Sequence, residues 1–311
     1  MANLLDTPKY NDLIYDIGMH KGEDSEFYLR KGFRVVAIEA DPELVCFGKA
    51  RLGKFIADGR LTIIEGAIID PRQPTAGKPK VRFFRNEANT VWGTINAHWA
   101  ERNALLGASS QMIEVDGLYL HDIIKKHGVP RYMKSDIEGA DMFCVSVLRD
   151  FANRPDYLSF ESDKTSFAKI RQEIETLVDL GYDCFKAVEQ SSIRQTQRPP
   201  FPAREGVYVA HQFEAGSSGL FGRELDGCWE SKQDILRRYP VIRLGYFLVG
   251  DAGVLRLRRI WPLWVLLWPA RVVTRNVLRL LTNAPVSGWY DTHARHCGAQ
   301  AAVPSEQGCA V

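Results

Sequence analysis

The strongest constraint on this chain lies near its start, where two apolar runs flank a glycine turn and a helical stretch. Residues 13–17 (LIYDI) form the first run, and Asp16-Ile17-Gly18-Met19-His20-Lys21-Gly22 carries the chain out of it. Residues 23–31 read as a helix closed by Gly32, a residue suited to the left-handed position after a helix. Residues 34–38 (RVVAI) form an unbroken, β-branched run, as expected of a strand buried on both faces. Two strands joined through one helix pack as a right-handed parallel crossover. The same alternation continues along the chain. Pro42 opens a helix, residues 61–64, 81–84, 132–134 and 157–160 read as strands, and residues 140–148 read as a helix. Phe167, Ile170, Ile174 and Leu177 fall at helical spacing, ended by Gly181. Such a chain predicts an α/β fold with a doubly wound, mostly parallel sheet.

Residues 183–188 and 207–213 are two further strand-like runs, separated by the Pro- and Arg-rich residues 194–204. They predict a closing hairpin with a long loop. Beyond residue 213 the pattern changes to Gly/Ser turns, a basic Trp-rich window and a polar tail, so a domain boundary is expected near residue 215. This gives a ligand-binding domain over residues 1–215 and an extension over residues 216–311.

With 25% charged and 45% apolar residues among 311, the chain can bury a sizeable core. These figures exclude a disordered chain. Six cysteines without a Cys-x-x-Cys pair predict reduced thiols in a cytoplasmic protein. The N-terminus shows no basic region followed by an apolar run, so no signal peptide is expected.

The chemistry gathers in two places. Gly18 and Gly22 follow a strand and precede a helix, where an open α/β sheet binds its ligand. Their spacing departs from Gly-x-Gly-x-x-Gly, the dinucleotide fingerprint. Glu39 ends the next strand, 21 residues after Gly18, and a carboxylate there can accept hydrogen bonds from both hydroxyls of a ribose. An adenosine-containing ligand is expected. The second cluster runs from Tyr132 through Lys134, Asp136 and Glu138 to Asp141. Acids at a helix N-terminus stabilise its dipole, which accounts for Glu138 and Asp141. Asp136 ends the strand and is expected to point into the cleft.

Together, Asp16-x-Gly18-x-x-x-Gly22, Ile38-Glu39-Ala40-Asp41-Pro42 and Lys134-Ser135-Asp136-Ile137-Glu138-Gly139-Ala140 resemble the FkbM family of S-adenosylmethionine-dependent methyltransferases, over roughly residues 12–190. Trp289-Tyr290-Asp291-Thr292-His293-Ala294 and Ser217-Ser218-Gly219-x-Phe221-Gly222 resemble one bacterial branch of it. The resemblance implies a class I methyltransferase fold of seven strands, the last antiparallel, with S-adenosylmethionine as cofactor and a hydroxyl as acceptor. It assigns Asp16, Gly18, His20, Gly22, Glu39 and Asp41 to the cofactor. His20 stands where many members carry a small or amide residue.

A hydroxyl needs its proton removed to attack a methyl group. Asp136, at the end of the fourth strand of this topology, is the expected base or orienting acceptor, with Glu138 and Glu161 beside it. Those three would also be the ligands of a divalent cation such as Mg²⁺, although no spacing demands one. His293, oriented by Asp291, is a second candidate base. His296, Cys297 and Cys309 resemble a metal cluster only superficially.

Residues 237–279 hold nine Arg and one acid, a net +8 in a chain of +2. Their uncharged centre, residues 260–270 (IWPLWVLLWPA), is too short to span a bilayer. Trp261, Trp264 and Trp268 would either cover core or a subunit seam, or lie at an anionic membrane surface with Arg271, Arg275 and Arg279 toward lipid headgroups. The surface helix is the favoured reading, and such an apolar run makes a poor nucleic-acid groove. The sequence therefore predicts a cytoplasmic O-methyltransferase, peripheral on the inner membrane face, acting on a small molecule or glycan. Its alternatives are a non-catalytic membrane adaptor of the same fold and an NAD-dependent oxidoreductase. Oligomeric state is not legible.

Overall fold

The computed structural model describes residues 4–70, 79–86, 90–105, 107–162, 166–249 and 290–299, with isolated positions between 269 and 277. In chain order the elements are β1 (Lys9–Ile17), α1 (Glu23–Arg30), β2 (Arg34–Glu39), α2 (Pro42–Arg51), α3 (Gly53–Ala57), β3 (Leu61–Glu65), β4 (Ala67–Ile68), β5 (Lys80–Asn86), α4 (Ala97–Leu105) and β6 (Ser110–Leu118). They continue with α5 (Leu120–His127), β7 (Val129–Ser135), α6 (Asp141–Val147), β8 (Tyr157–Glu161), α7 (Phe167–Asp179), β9 (Tyr182–Glu189), α8 (Ile193–Thr196), α9 (Lys232–Val249) and β10 (Tyr290–His296).

Seven strands form one sheet in the order β3-β2-β1-β7-β8-β10-β9. The first five run parallel, and β10 runs antiparallel to both β8 and β9. The parallel core is what the alternation predicts, and the seven strands with one antiparallel are the class I methyltransferase arrangement that the resemblance implies. Its centre is apolar on both faces because the central strands are covered twice. On one face Ile123, Ile124, Leu148, Ile174 and Leu177 pack with Ile235 and Tyr239 of α9. On the other, Phe27 and Tyr28 of α1 meet Phe55, Phe213 and Phe221. Tyr132 of β7 stacks on Phe221 at 4.5 Å, the planes 5° from parallel.

Several expectations are corrected. Residues 207–213 form no strand: Val207 donates its N–H to Lys31 O, and Phe213 packs edge-on against Phe27 at 4.9 Å. The partner of β9 is β10, from the far end of the chain, so the sheet is not enclosed by residues 1–215. Strand-forming residues are a local signal, whereas the choice of partner is made by what fits the open edge. β5, read from the sequence as a strand, lies outside the main sheet, in a small sheet with β4 and β6. Cys46, Cys144, Cys184 and Cys297 are free thiols. Cys228, by contrast, is disulfide-bonded. The readings for Trp261, Trp264, Trp268, Arg271, Arg275, Arg279 and Cys309 also fall outside the described residues. Among those described, no helix is long and apolar enough to cross a membrane.

Candidate active site

A cleft opens at the carboxyl ends of β1, β2 and β7. Gly18, His20 and Glu39 line it from one side, Lys134 and Asp136 from the other, with Ile68 and Phe83 supplying apolar wall. Gly18 sits at φ +83, and a Cβ there would stand 2.0 Å from the Asp136 carbonyl oxygen. Glycine is thus demanded by contact between the β1 and β7 loops rather than by a ligand. Gly22, also at φ +83, opens α1, and a Cβ on it would meet Leu52 at 2.8 Å.

Glu39 is buried at the end of β2. Its Oε2 accepts the His20 N–H at 2.8 Å and its Oε1 the Asp41 N–H at 2.9 Å. Burial pushes its carboxyl above the ordinary range, against the pull of these two amides. His20 holds a left-handed backbone (φ 54) that presents its amide to Glu39. Its ring bridges Glu23 at 3.2 Å and the Thr90 hydroxyl at 2.8 Å, from the far wall. Asp41 caps α2 by accepting the Glu43 N–H at 2.9 Å and does not line the cleft.

Asp16 is also behind the wall. It is fully buried and accepts from Ser25 Oγ at 2.6 Å and Lys134 Nζ at 3.0 Å. Lys134 additionally reaches Asp24 at 3.3 Å and the Gly18 carbonyl at 3.2 Å. Burial alone would lower its ammonium, but Asp16, Asp24 and Asp136 outweigh it and hold the group well above its ordinary value. Lys134 and Asp24 are site residues to which sequence reasoning gave no role. The available signal was the lysine two residues before Asp136 on a strand otherwise buried, where a charge must be paired.

Asp136 lines the cleft directly after β7, its N–H bonded to Ile17 O at 2.9 Å. Desolvation pushes its carboxyl up to about 7; Lys134 opposes this, and the nearby carboxylates Glu161 and Asp141 add to it. Asp141 secures the loop beneath, accepting from Ser135 Oγ at 2.9 Å and the Ile137 N–H at 3.1 Å. Glu138, at φ 47, lines neither this cleft nor its neighbour, and its carbonyl accepts the Thr94 hydroxyl at 2.8 Å. Glu161 ends β8 and lines an adjoining cavity with Trp99, Asp141 and Lys169.

His293 lies away from this chemistry. It sits inside the sheet opposite Ser159 and Lys186, 1% exposed. Burial, and then the Lys186 charge, push its imidazole down to about 3, too weak a base for the expected role. Asp291 is the residue of that strand at the carboxyl edge, in register with Glu161. Burial, with Asp136 and Glu161 nearby, pushes its carboxyl well above the usual range. Among the described residues no group of three His, Cys, Asp or Glu side chains is arranged to hold a metal ion, so Asp136, Glu138 and Glu161 do not converge as a ligand set.

The strand order, with β10 antiparallel between β8 and β9, is that of the class I methyltransferase fold. The Methyltransferase FkbM domain matches residues 16–184, more than half of the chain, and the protein belongs to that family. Among solved structures it is similar to the FkbM methyltransferase of Methylobacillus flagellatus, at 16% identity over 58% of this chain and 40% of that one, TM-score 0.36. It is also similar to Aeropyrum pernix fibrillarin, a structure with natively bound S-adenosyl-L-methionine, at 14% identity over 58% and 61%, TM-score 0.31. A third is precorrin-6y C5,15-methyltransferase from Geobacter metallireducens, at 14% identity over 59% and 72%, TM-score 0.31. No curated protein matches the sequence. These likenesses are too distant to carry any residue's role across.

Proposed function

We propose that this protein is an S-adenosylmethionine-dependent O-methyltransferase whose acceptor is a hydroxyl of a glycan, a lipid-linked saccharide or a secondary metabolite. One observation carries the reading: Glu39 and Asp136, a ribose acceptor and a poised base, line the same cleft. The residues fit the cofactor chemically. Glu39 spends one lone pair of each oxygen on backbone amides and keeps acceptor capacity, while Ile68 and Phe83 suit an adenine ring. Bound there, S-adenosylmethionine supplies an electrophilic methyl group on a positively charged sulfur.

The protein's own part is positioning and proton removal. Lys134 ties the β1 loop to β7, fixing Gly18 and Asp136 relative to each other. Asp136 takes the acceptor's proton at its carboxylate, and a base with a pKa near the working pH does this best. Asp141 keeps the loop under Asp136 from shifting. Misplacement by 1 Å in such a site costs about 10²-fold.

The test is transfer of labelled methyl from the donor to candidate hydroxyl acceptors, with the linkage read by NMR. Methyl found only on nitrogen or carbon would remove the O-methyltransferase assignment. Attachment to an anionic membrane surface is a second reading, favoured by the outer stripe of α9. There Val241, Leu244 and Phe247 are exposed, one turn beyond an exposed Arg237, at the start of the basic window.

A further inference from the structure

Beside the cleft lies a second cavity of about 190 Å³. Trp99 of α4, Gly139 and Asp141 at the entry to α6, Glu161 at the end of β8, and Lys169 and Glu173 of α7 all line it. The two spaces share a partition. Thr94 and Ile95 line the cleft and Asn96 the cavity. The Thr94 hydroxyl donates to the Glu138 carbonyl at 2.8 Å, which ties this segment to the loop that carries Asp136. Strand register sets the floors of the two spaces next to each other. Ser135 of β7 pairs with Phe160 of β8, so the residues that follow, Asp136 and Glu161, leave neighbouring parallel strands side by side. Such strands lie about 4.8 Å apart. Asp136 lines the cleft and Glu161 lines the cavity.

The lining combines two kinds of surface. Trp99 is fixed in place: a Cβ on Gly139 would stand 2.4 Å from its Nε1, so the indole lies directly on the backbone of the loop. An indole offers a broad apolar surface with a defined plane. Around it, Glu161 and Glu173 can accept hydrogen bonds from hydroxyl groups and Lys169 can donate to them. Asp141 is spent on its own loop. Three carboxyl groups against one ammonium disfavour a phosphate or other anion here. A purely apolar ligand would take water from these groups and return no hydrogen bond. A neutral ring that is apolar on its faces and hydroxylated round its edge meets both demands. The space suits one such ring, since about 150 Å³ suffices for benzene.

We propose that this cavity is the acceptor subsite and takes a neutral sugar ring. The ring lies against Trp99, its hydroxyls meet Glu161, Glu173 and Lys169, and the hydroxyl to be methylated stands at Asp136. That oxygen bonds the methyl carbon as its proton passes to Asp136, and the donor's sulfur keeps the electron pair of the broken carbon–sulfur bond. The inference rests on the reading of the cleft as the methyl-donor site, and it selects a saccharide from the acceptor classes named above.

Saturation-transfer NMR with methyl glycosides of neutral hexoses and 6-deoxyhexoses, in the presence of S-adenosylhomocysteine, tests it. Calorimetry with S-adenosylhomocysteine alone runs alongside. Wild type should bind S-adenosylhomocysteine and pass saturation to the ring protons of at least one glycoside. Trp99→Ala and Glu161→Gln should each weaken that glycoside about tenfold, the scale of one aromatic contact or one hydrogen bond to a charged group. Both variants should bind S-adenosylhomocysteine within twofold of wild type. Binding of S-adenosylhomocysteine with no glycoside saturated would overturn the sugar assignment and leave the cofactor reading standing. A glycoside bound equally by wild type and both variants would overturn it as well. So would loss of both ligands in Trp99→Ala with Glu161→Gln unchanged, which would show an indole that only props the loop. Failure of wild type to bind S-adenosylhomocysteine would remove the cofactor reading and this inference together.

Discussion

Among the described residues no hydrogen-bond donor is fixed on the Asp136 oxygens, although the carboxyl sits among charges. Asp141 spends its oxygens on Ser135 and on loop amides, and Glu39 on two amides. Asp136→Asn should therefore leave the fold intact and lower turnover by about 10²–10⁴, the usual contribution of a positioned base. Because the carboxyl is pushed up to about 7 and must be ionised to act, wild-type turnover should rise with pH to about 7 and then level off. The linkage to stability runs the opposite way. A carboxyl with a raised folded pKa binds its proton more tightly in the native state, so its contribution is present below the unfolded value and lost as pH climbs through the folded one. Melting temperature against pH should fall more steeply between about pH 4 and 7 in wild type than in Asp136→Asn. At Glu39 the expectation is simpler. Glu39→Ala should weaken donor binding by about 1.5–3 kcal/mol in calorimetry, the worth of hydrogen bonds to a charged group; unchanged affinity would mean that the ribose is not read there.

Among the elements, β10 has the most leverage. It fills the gap between β8 and β9, and five of its seven residues are buried although three of those are polar. Thr292 bonds to the hydroxyls of Ser162 and Tyr239, which joins the strand to the loop after β8 and to α9. Asp291 carries a charge-bearing group to the carboxyl edge. A chain ended at residue 289 would leave β8 and β9 as facing unpaired edges. It should lose cooperative urea unfolding and its near-ultraviolet dichroism, even though residues 16–184 are untouched. Retention of both would mean that β10 is an accessory strand.

For the whole molecule, charge is distributed unevenly, and the uneven part adjoins the exposed apolar stripe of α9. Each Arg near an anionic surface contributes about 1 kcal/mol, and screening acts within a Debye length of about 8–10 Å. Replacing Arg271, Arg275 and Arg279 with Gln should release the protein from anionic vesicles in co-sedimentation, and high salt should do the same to wild type. Absence of binding to anionic and neutral vesicles at both salt levels would leave the stripe to a second subunit. The lipid-linked acceptor would then lose its main support.

The sequence by itself determined the crossover unit, the glycine turn, Glu39 at the end of β2 and Asp136 at the end of β7. All of these follow from short-range rules: apolar runs of strand length, glycine where φ must be positive, an acid where a strand ends. Only the tertiary structure decided the rest. It made Asp16 and Asp41 supports instead of cleft residues, because their oxygens are taken by Ser25, Lys134 and the amide of Glu43. It turned His293 inward and put Asp291 at the edge, because strand register, not the spelling of a motif, decides which residue reaches the carboxyl end. It brought Ser218 to Asp24 of α1 across more than 190 residues of chain, a contact that no local pattern announces. Pairing across such distances is chosen by shape and by the need to satisfy buried charge, and neither is written in the neighbours of a residue.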